Sequence, residues 1–327
     1  MLNMGILGCG IIAATMAKTV NRMNEAGDSC CRLYAAASRD SGKATAFARE
    51  YGIPMAYGSY EDMLNDPKVD LVYIATPHAC HMEQALLCGE HGKHVLCEKA
   101  FAGNARQAEK MLALFEKKGL LITEAIWTRY QPMRRIIDEC IASGVVGKAQ
   151  TLTANLSYPL THAARITQPA LAGGALLDVG VYAINFSLMH FGVPASVNAS
   201  AILMPTGVDQ TISITMTYDD GRMSILSAGS TAQSDRFGMI WCTDGYIRVR
   251  NINNPQQIEA VARDERVVFD RPCPPQLTGY EYEVIEAVRA INEGKTECDA
   301  MPHRETMRVM EIMDAIRLQT GVRYPFD

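Results

Sequence analysis

The apolar run 4–7 stops at Gly8-Cys9-Gly10-Ile11-Ile12-Ala13 and passes directly into a helical segment, 14–20. A strand, a glycine turn and a helix in immediate succession form the unit from which parallel sheets are wound. Three further apolar runs, 33–37, 71–75 and 94–97, end in Gly, Pro or polar residues and lead into helical patterns. A fifth, 120–122, continues through Glu124-Ala125-Ile126-Trp127 and is expected to close the sheet. The alternation predicts an α/β domain, a doubly wound parallel sheet, over residues 1–123.

A chain of 327 residues exceeds one hydrophobic core, and beyond residue 123 the pattern changes. One helix, 133–143, precedes strands with the two-residue alternation of a half-buried antiparallel sheet. Ile212, Ile214, Met216 and Tyr218 alternate with Thr211, Ser213, Thr215 and Thr217, and Asp219-Asp220-Gly221 turns the chain into 222–228. Other strand candidates are 150–158, 197–204, 237–242 and 246–249. Helices are expected over 280–292 and 305–320, the second stopped by Gly321, with Met307, Met310, Met313 and Ile316 as a core stripe. Residues 124–327 thus read as an α+β domain with an open, mostly antiparallel sheet. Such a sheet, apolar on one face and Thr/Ser on the other, needs cover, and a homodimer or higher homo-oligomer is expected.

The net charge of −5 is spread without runs, which argues against nucleic-acid or anionic-membrane partners and for a small-molecule substrate. No basic, apolar leader and no window of about 18 consecutive apolar residues stands out, so a cytoplasmic protein is expected. Cys9, Cys88, Cys97 and Cys242 sit singly in apolar runs, and no CxxC pair occurs. Reduced, buried thiols are expected, with no metal site.

The chemistry begins at the glycine turn, which is the dinucleotide fingerprint in its strand-turn-helix context. Gly8 permits the turn, Gly10, Ile11 and Ile12 bring backbone to a pyrophosphate, and small Ala13 lets helix and strand pack. At the end of the second strand, Ser38-Arg39, with Lys43 nearby, stands where a carboxylate would select NAD. A hydroxyl and a guanidinium suit a 2′-phosphate, so NADP is expected over NAD, although Asp40 follows closely and Arg39 can also be read as a solvated charge. Thr76-Pro77-His78 and Glu98-Lys99 follow the next two strands, at the sheet end where ligands lie, and should face the nicotinamide. Further on, Gly173-Gly174-Ala175-Leu176-Leu177-Asp178-Val179-Gly180-Val181-Tyr182 reads as a loop entering a helix that continues to about residue 190. Asp178 and Tyr182, four apart, share one helix face, either as chemistry or as a capped start with a packed Tyr.

Together these segments and Glu124-Ala125-Ile126-Trp127-Thr128-Arg129-Tyr130 resemble the glucose-fructose oxidoreductase / inositol dehydrogenase / rhizopine-catabolism (Gfo/Idh/MocA) family over nearly the whole chain. They are most similar to its branch of dimeric trans-dihydrodiol dehydrogenases and NADP-dependent xylose dehydrogenases. The resemblance implies a Rossmann domain and an α/β domain whose open sheet often forms the subunit interface. By position it implies that Lys99 is the lysine of a Glu-Lys-Pro motif, Asp178 an active-site aspartate and Tyr182 the proton carrier, where many members have histidine. Ala100 replaces the motif's proline, and a trans peptide is therefore expected before it.

These readings imply NADP-linked hydride transfer at a hydroxyl or carbonyl carbon of a sugar, polyol or dihydrodiol-like substrate. Tyr182 would exchange the proton, aided by the Lys99 ammonium, and Asp178 would orient the substrate. Trp127 would wall the substrate site or fill the core. The rival readings are a dinucleotide-binding regulator without turnover, against which Lys99 and Tyr182 argue, and an NAD-using glycosidase, whose Cys and His metal cluster is not evident.

Overall fold

In the computed structural model, which describes residues 1–327, six short apolar runs form a parallel sheet. Its strands are β1 (Leu2–Leu7), β2 (Cys31–Ala37), β3 (Met55–Tyr57), β4 (Leu71–Ile74), β5 (His94–Glu98) and β6 (Ile122–Ala125), in the order β3-β2-β1-β4-β5-β6. All four residues of β4 are buried, as a central parallel strand covered on both faces requires. The intervening helices are α1 (Ile11–Glu25), α2 (Ser41–Tyr51), α3 (Tyr60–Leu64), α4 (His81–Glu90) and α5 (Ala105–Lys118). Their ends are set locally. Asp40 Oδ1 accepts the Lys43 N–H at 3.1 Å to start α2, and Asn104 Oδ1 accepts the Gln107 N–H at 2.9 Å to start α5. Gly52 and Gly119 end the same two helices in the left-handed region. Strand order reverses between β1 and β4, the place where such sheets open a ligand crevice at the carboxyl ends of their strands.

The second unit starts with α6 (Pro132–Ser143), β7 (Ala149–Ser157) and the single turn α7 (Ala164–Thr167). A wide π-type segment, Leu176–Gly180, then continues as α8 (Val181–Phe191). Seven strands follow: β8 (Ser196–Leu203), β9 (Asp209–Thr217), β10 (Met223–Gly229), β11 (Gly238–Cys242), β12 (Gly245–Arg250), β13 (Gln257–Ala262) and β14 (Val267–Pro272). The sheet order is β14-β13-β12-β11-β7-β10-β9-β8, antiparallel except where β10 runs parallel to β7. Leu152, Ile214, Met216, Leu226 and Ile240 point to the face that α8 and the π-type segment cover. Residues 169–191 are long and apolar enough to cross a membrane by length and composition, but this stretch is buried almost throughout in the unit.

The compact units do not coincide with the contiguous spans 1–123 and 124–327. They are Met1–Tyr130 with Gln276–Met307, and Gln131–Pro275 with Arg308–Asp327. Residues 124–130 stay with the first sheet because β6 pairs with β5 and Tyr130 Oη bonds Thr123 Oγ1 at 2.7 Å. The chain then returns through α9 (Glu281–Asn292), whose Val284 and Val288 enter the core under β1 and α1. His303, at the start of α10 (His303–Thr320), hydrogen-bonds the Ile122 carbonyl at 2.9 Å through Nε2. Met310, Met313 and Ile316 of α10 are buried in the second unit, as their helical spacing predicts.

Candidate active site

At Gly8 φ is +95°, and a Cβ would come within 2.8 Å of Thr76 Cγ2, so only glycine lets the end of β1 pass the loop after β4. At Gly10 a Cβ would meet nothing within 4 Å. Ile11 beside it is 91% exposed, Ile12 is half-buried, and α1 begins without a side-chain cap. An uncapped helix start behind an open glycine offers N–H groups and positive potential to an anion. The residues present therefore fit a dinucleotide pyrophosphate.

Past β2, Ser38 is buried and Arg39 exposed, with the Arg39 guanidinium beside the Tyr60 phenol. Burial raises that phenol and the Arg39 charge opposes the shift. Exposed Lys43 acts in the same sense on the Cys9 thiol, which burial pushes up. Asp40, the carboxylate that stood close enough to compete, is engaged as the cap of α2.

Past β4, Thr76 Oγ1 donates to Gln84 Oε1 at 2.5 Å, and Pro77 leads into a short turn with His78 buried. His81 was not singled out in the sequence, yet it ties two loops together. Its Nε2 lies 2.8 Å from the Thr76 carbonyl and its Nδ1 2.9 Å from that of Ala100. Burial lowers its pKa against the pull of those carbonyls, and a neutral ring has a proton for one carbonyl at a time.

Past β5, the Tyr73 hydroxyl donates to Glu98 Oε1, and the Lys99 N–H donates to Glu98 Oε2 at 3.2 Å. The Lys99–Ala100 peptide is cis, contrary to the trans form expected from the missing proline. Contacts on the buried side fix this segment: the Ala100 carbonyl meets His81, and the Phe101 N–H donates to Glu124 Oε1 at 3.2 Å. Burial pushes the Glu124 carboxyl up to about 7, with Arg129 opposing. After β6, Trp127 is buried and stacks on Tyr280, ring centroids 4.0 Å apart. It belongs to the first unit and not to the substrate domain drawn from the sequence. Glu283 of α9 is fully buried with neither carboxyl oxygen hydrogen-bonded.

In the second unit Asp178 and Tyr182 are both buried, at 6% and 7% exposure. Asp178 lies in the wide π-type segment and Tyr182 in the first turn of α8, so the regular α-helix assumed from their spacing holds only for the second. Arg165 of α7 places Nη1 2.6 Å from Asp178 Oδ2. The preceding glycines are dictated by close approach. A Cβ at Gly173 would lie 2.6 Å from the Ile166 carbonyl oxygen, and one at Gly174, φ +117°, 2.1 Å from Asp209 Oδ1. Asp209 Oδ2 accepts the Leu176 N–H at 2.6 Å. Arg165 and Asp209 carry no local sequence signal, since each acts across 13 or more positions of chain.

The predicted cofactor residues thus gather at the carboxyl ends of β1, β2, β4 and β5, with Trp127 past β6, while Asp178 and Tyr182 stand in the other unit. A family model described as an oxidoreductase family with an NAD-binding Rossmann fold, GFO_IDH_MocA, matches residues 2–125. The GFO/IDH/MocA C-terminal domain matches residues 135–248. Trans-1,2-dihydrobenzene-1,2-diol dehydrogenase of Mus musculus is 31% identical across 100% of this chain and 99% of its own. The Xenopus laevis enzyme of that name is 33% identical over 90% and 91%. Among solved structures, a 3-ketoreductase from Actinomadura kijaniata in complex with NADP superposes with a TM-score of 0.87 at 22% identity, covering 99% of each chain. A levoglucosan dehydrogenase in complex with NADH and levoglucosan gives 0.86 at 21%, covering 98% and 97%.

Proposed function

Because this chain belongs to the GFO/IDH/MocA oxidoreductase family, we propose that it is an NADP-dependent dehydrogenase or reductase of sugar, polyol or dihydrodiol-like substrates. The observation that carries this reading is the shared placement of Lys99 and the dinucleotide loops at the carboxyl end of one parallel sheet. Gly8, Gly10, Ile11 and Ile12 would hold the pyrophosphate, and Ser38, Arg39 and Lys43 the 2′-phosphate, with Asp40 withdrawn into its helix cap. Thr76, Pro77, His78, Glu98 and Lys99 would border the nicotinamide.

NADP, when bound, supplies the hydride acceptor, and its reduced form the donor. The chain supplies proton handling and orientation. Tyr182 exchanges the proton on the substrate oxygen, and the Lys99 ammonium offers positive charge to negative charge developing in the substrate. Asp178, fixed by Arg165, accepts a substrate hydroxyl and sets its direction. Buried Trp127, backed by Tyr280, offers a flat apolar surface at the end of β6. Ten free thiols, six of them buried, accord with a cytoplasmic protein, and the outer face of the second sheet accords with a homodimer.

Spectrophotometric screening for NADPH formation over aldoses, inositols, sugar acids and trans-dihydrodiols tests the reading. Turnover on at least one class is expected. Tight NADP binding with no turnover in either direction would instead favour a dinucleotide-binding regulator.

A further inference from the structure

The segment carrying Asp178 and Tyr182 starts from the Gly173-Gly174 loop, and two groups distant in sequence grip that loop. On one side is Asp209, fully buried at the start of β9, whose Oδ2 takes the Leu176 N–H at 2.6 Å. On the other is Tyr324, three residues from the last, whose hydroxyl donates to the Gly173 carbonyl at 2.7 Å. Tyr324 is itself secured. Its N–H donates to Asp327 Oδ2 at 2.7 Å, Asp327 pairs with Arg317, and the Arg317 guanidinium lies 4.2 Å above the Tyr324 ring. Arg317 is anchored in turn to Asp314 at 3.1 Å on α10.

We propose that Asp209 and Tyr324 are positioning residues, which fix the start of the π-type segment so that Asp178 and Tyr182 meet the substrate preorganised. The inference rests on the reading that those two side chains meet the substrate. A helix start leaves N–H groups without intrahelical partners, and i→i+5 turns are not the chain's own preference. The irregular start therefore needs ties from outside, and both glycines are shaped to admit them. Gly174 leaves the space that Asp209 Oδ1 occupies, and Gly173 lies against the Ile166 carbonyl with its own carbonyl turned to Tyr324. Burial pushes the Asp209 carboxyl up to about 6, against the N–H bonds that favour its charged form, which the Arg317 charge also favours.

Tyr324→Phe removes one hydroxyl and keeps the ring; Asp209→Ala removes the cap, and Asp209→Asn keeps an oxygen acceptor. With the substrate found by screening, kcat should fall roughly 10-fold or more in Asp209→Ala and severalfold in Tyr324→Phe, within the range that small misplacements produce. NADP affinity should be unchanged, and Asp209→Asn should recover most of the loss. Amide hydrogen exchange at Leu176 should accelerate in the Ala and Phe variants whatever the substrate. Unaltered kcat and unaltered Leu176 exchange in both Tyr324→Phe and Asp209→Ala would overturn the proposal. If Asp209→Ala does not fold, Tyr324→Phe decides by the same two readouts. Should Asp178→Asn and Tyr182→Phe lose activity while the tie variants do not, positioning fails and the site reading stands. Normal turnover in Asp178→Asn and Tyr182→Phe would remove the site reading itself.

Discussion

Arg39 and Asp40 are neighbours with opposite charge, and the cofactor preference turns on which of them is free to act. The Asp40 carboxylate holds the first turn of α2 through the Lys43 N–H, whereas Arg39 is exposed beside Tyr60. A hydrogen bond to a charged partner contributes about 1.5–3 kcal/mol, or roughly 10- to 150-fold in affinity. Arg39→Ala should therefore weaken NADP by roughly that factor and leave NAD nearly unchanged, as titration of both cofactors would reveal; tighter binding of NAD to the parent protein would reject the assignment. Lys99 and Tyr182 call for a different experiment, because their proposed contribution is joint. Tyr182→Phe and Lys99→Met should each lower kcat roughly 10²-fold, and the double variant should lose much less than the product. Independent, multiplying losses would separate their roles. At this scale the sequence discloses positions that local backbone geometry dictates. Gly8 is legible because a positive φ and the nearness of Thr76 demand glycine, Gly10 because the fingerprint motif marks it at the open start of α1, and the position of Lys99 because a strand end sets it. His81, Arg165 and Asp209 are not legible. Each acts through a partner that only the folded chain brings near, and their types would fit a helix surface or a turn equally well.

Elements were legible where they are long and periodic, and assembly of the units was not. The alternation over residues 211–228 predicts the hairpin of β9 and β10, which pair from Thr211↔Gly229 to Thr217↔Met223. β3, Met55-Ala56-Tyr57 at the sheet edge and largely exposed, is too short to show a periodic pattern. The return of α9 to the first unit escapes a linear reading because amphipathic periodicity gives a buried face without saying what covers it. That return has an electrostatic consequence. α9 carries Glu283 into a site faced by Glu98 of β5, Glu281 of its own first turn, and the phenols of Tyr73 and Tyr130. Burial first, then the two carboxyls, raises Glu283 well above the ordinary range near 4.5. A carboxyl raised on folding adds stability that is complete below its unfolded value and lost as pH climbs towards its folded one. Glu283→Gln abolishes this dependence. As pH rises above about 5 the variant should gain on the parent, at a rate of at most about 1.4 kcal/mol per pH unit. Urea unfolding of both proteins across that range checks it, and subtraction cancels the same-signed slope from Glu124, raised to about 7. A constant gap between the curves would mean that Glu283 is ionised in the folded protein.

For the whole molecule the question is what covers the second sheet. The apolar alternation of β9 suggested that its Ile and Met face would seek a partner, but Ile212, Ile214 and Met216 are buried on the side where the π-type segment and α8 pack. The open side is the Thr/Ser side, and its middle is not polar. Trp241 of β11 is 43% exposed, Ile225 and Met223 of β10 are 44% and 37% exposed, and Tyr246 of β12 packs against Trp241 with ring centroids 5.6 Å apart. These strands adjoin one another through β7, where Thr151 pairs with both Trp241 and Met223 and Thr153 with Ile225, so the apolar side chains share one side of the sheet with threonines between them. We propose this side as the association surface, since exposed apolar side chains grouped on one sheet face favour cover and a two-fold contact lets the same face serve both partners. The protein should therefore sediment at micromolar concentration as a species of twice the 35.9 kDa chain mass. Trp241→Glu and Ile225→Glu, exposed and outside the core, should each shift it towards the single-chain mass while leaving the far-ultraviolet circular dichroism unchanged. A parent protein that sediments only at the single-chain mass would leave the patch without this role, and charged variants that remain dimeric would move the contact to another face.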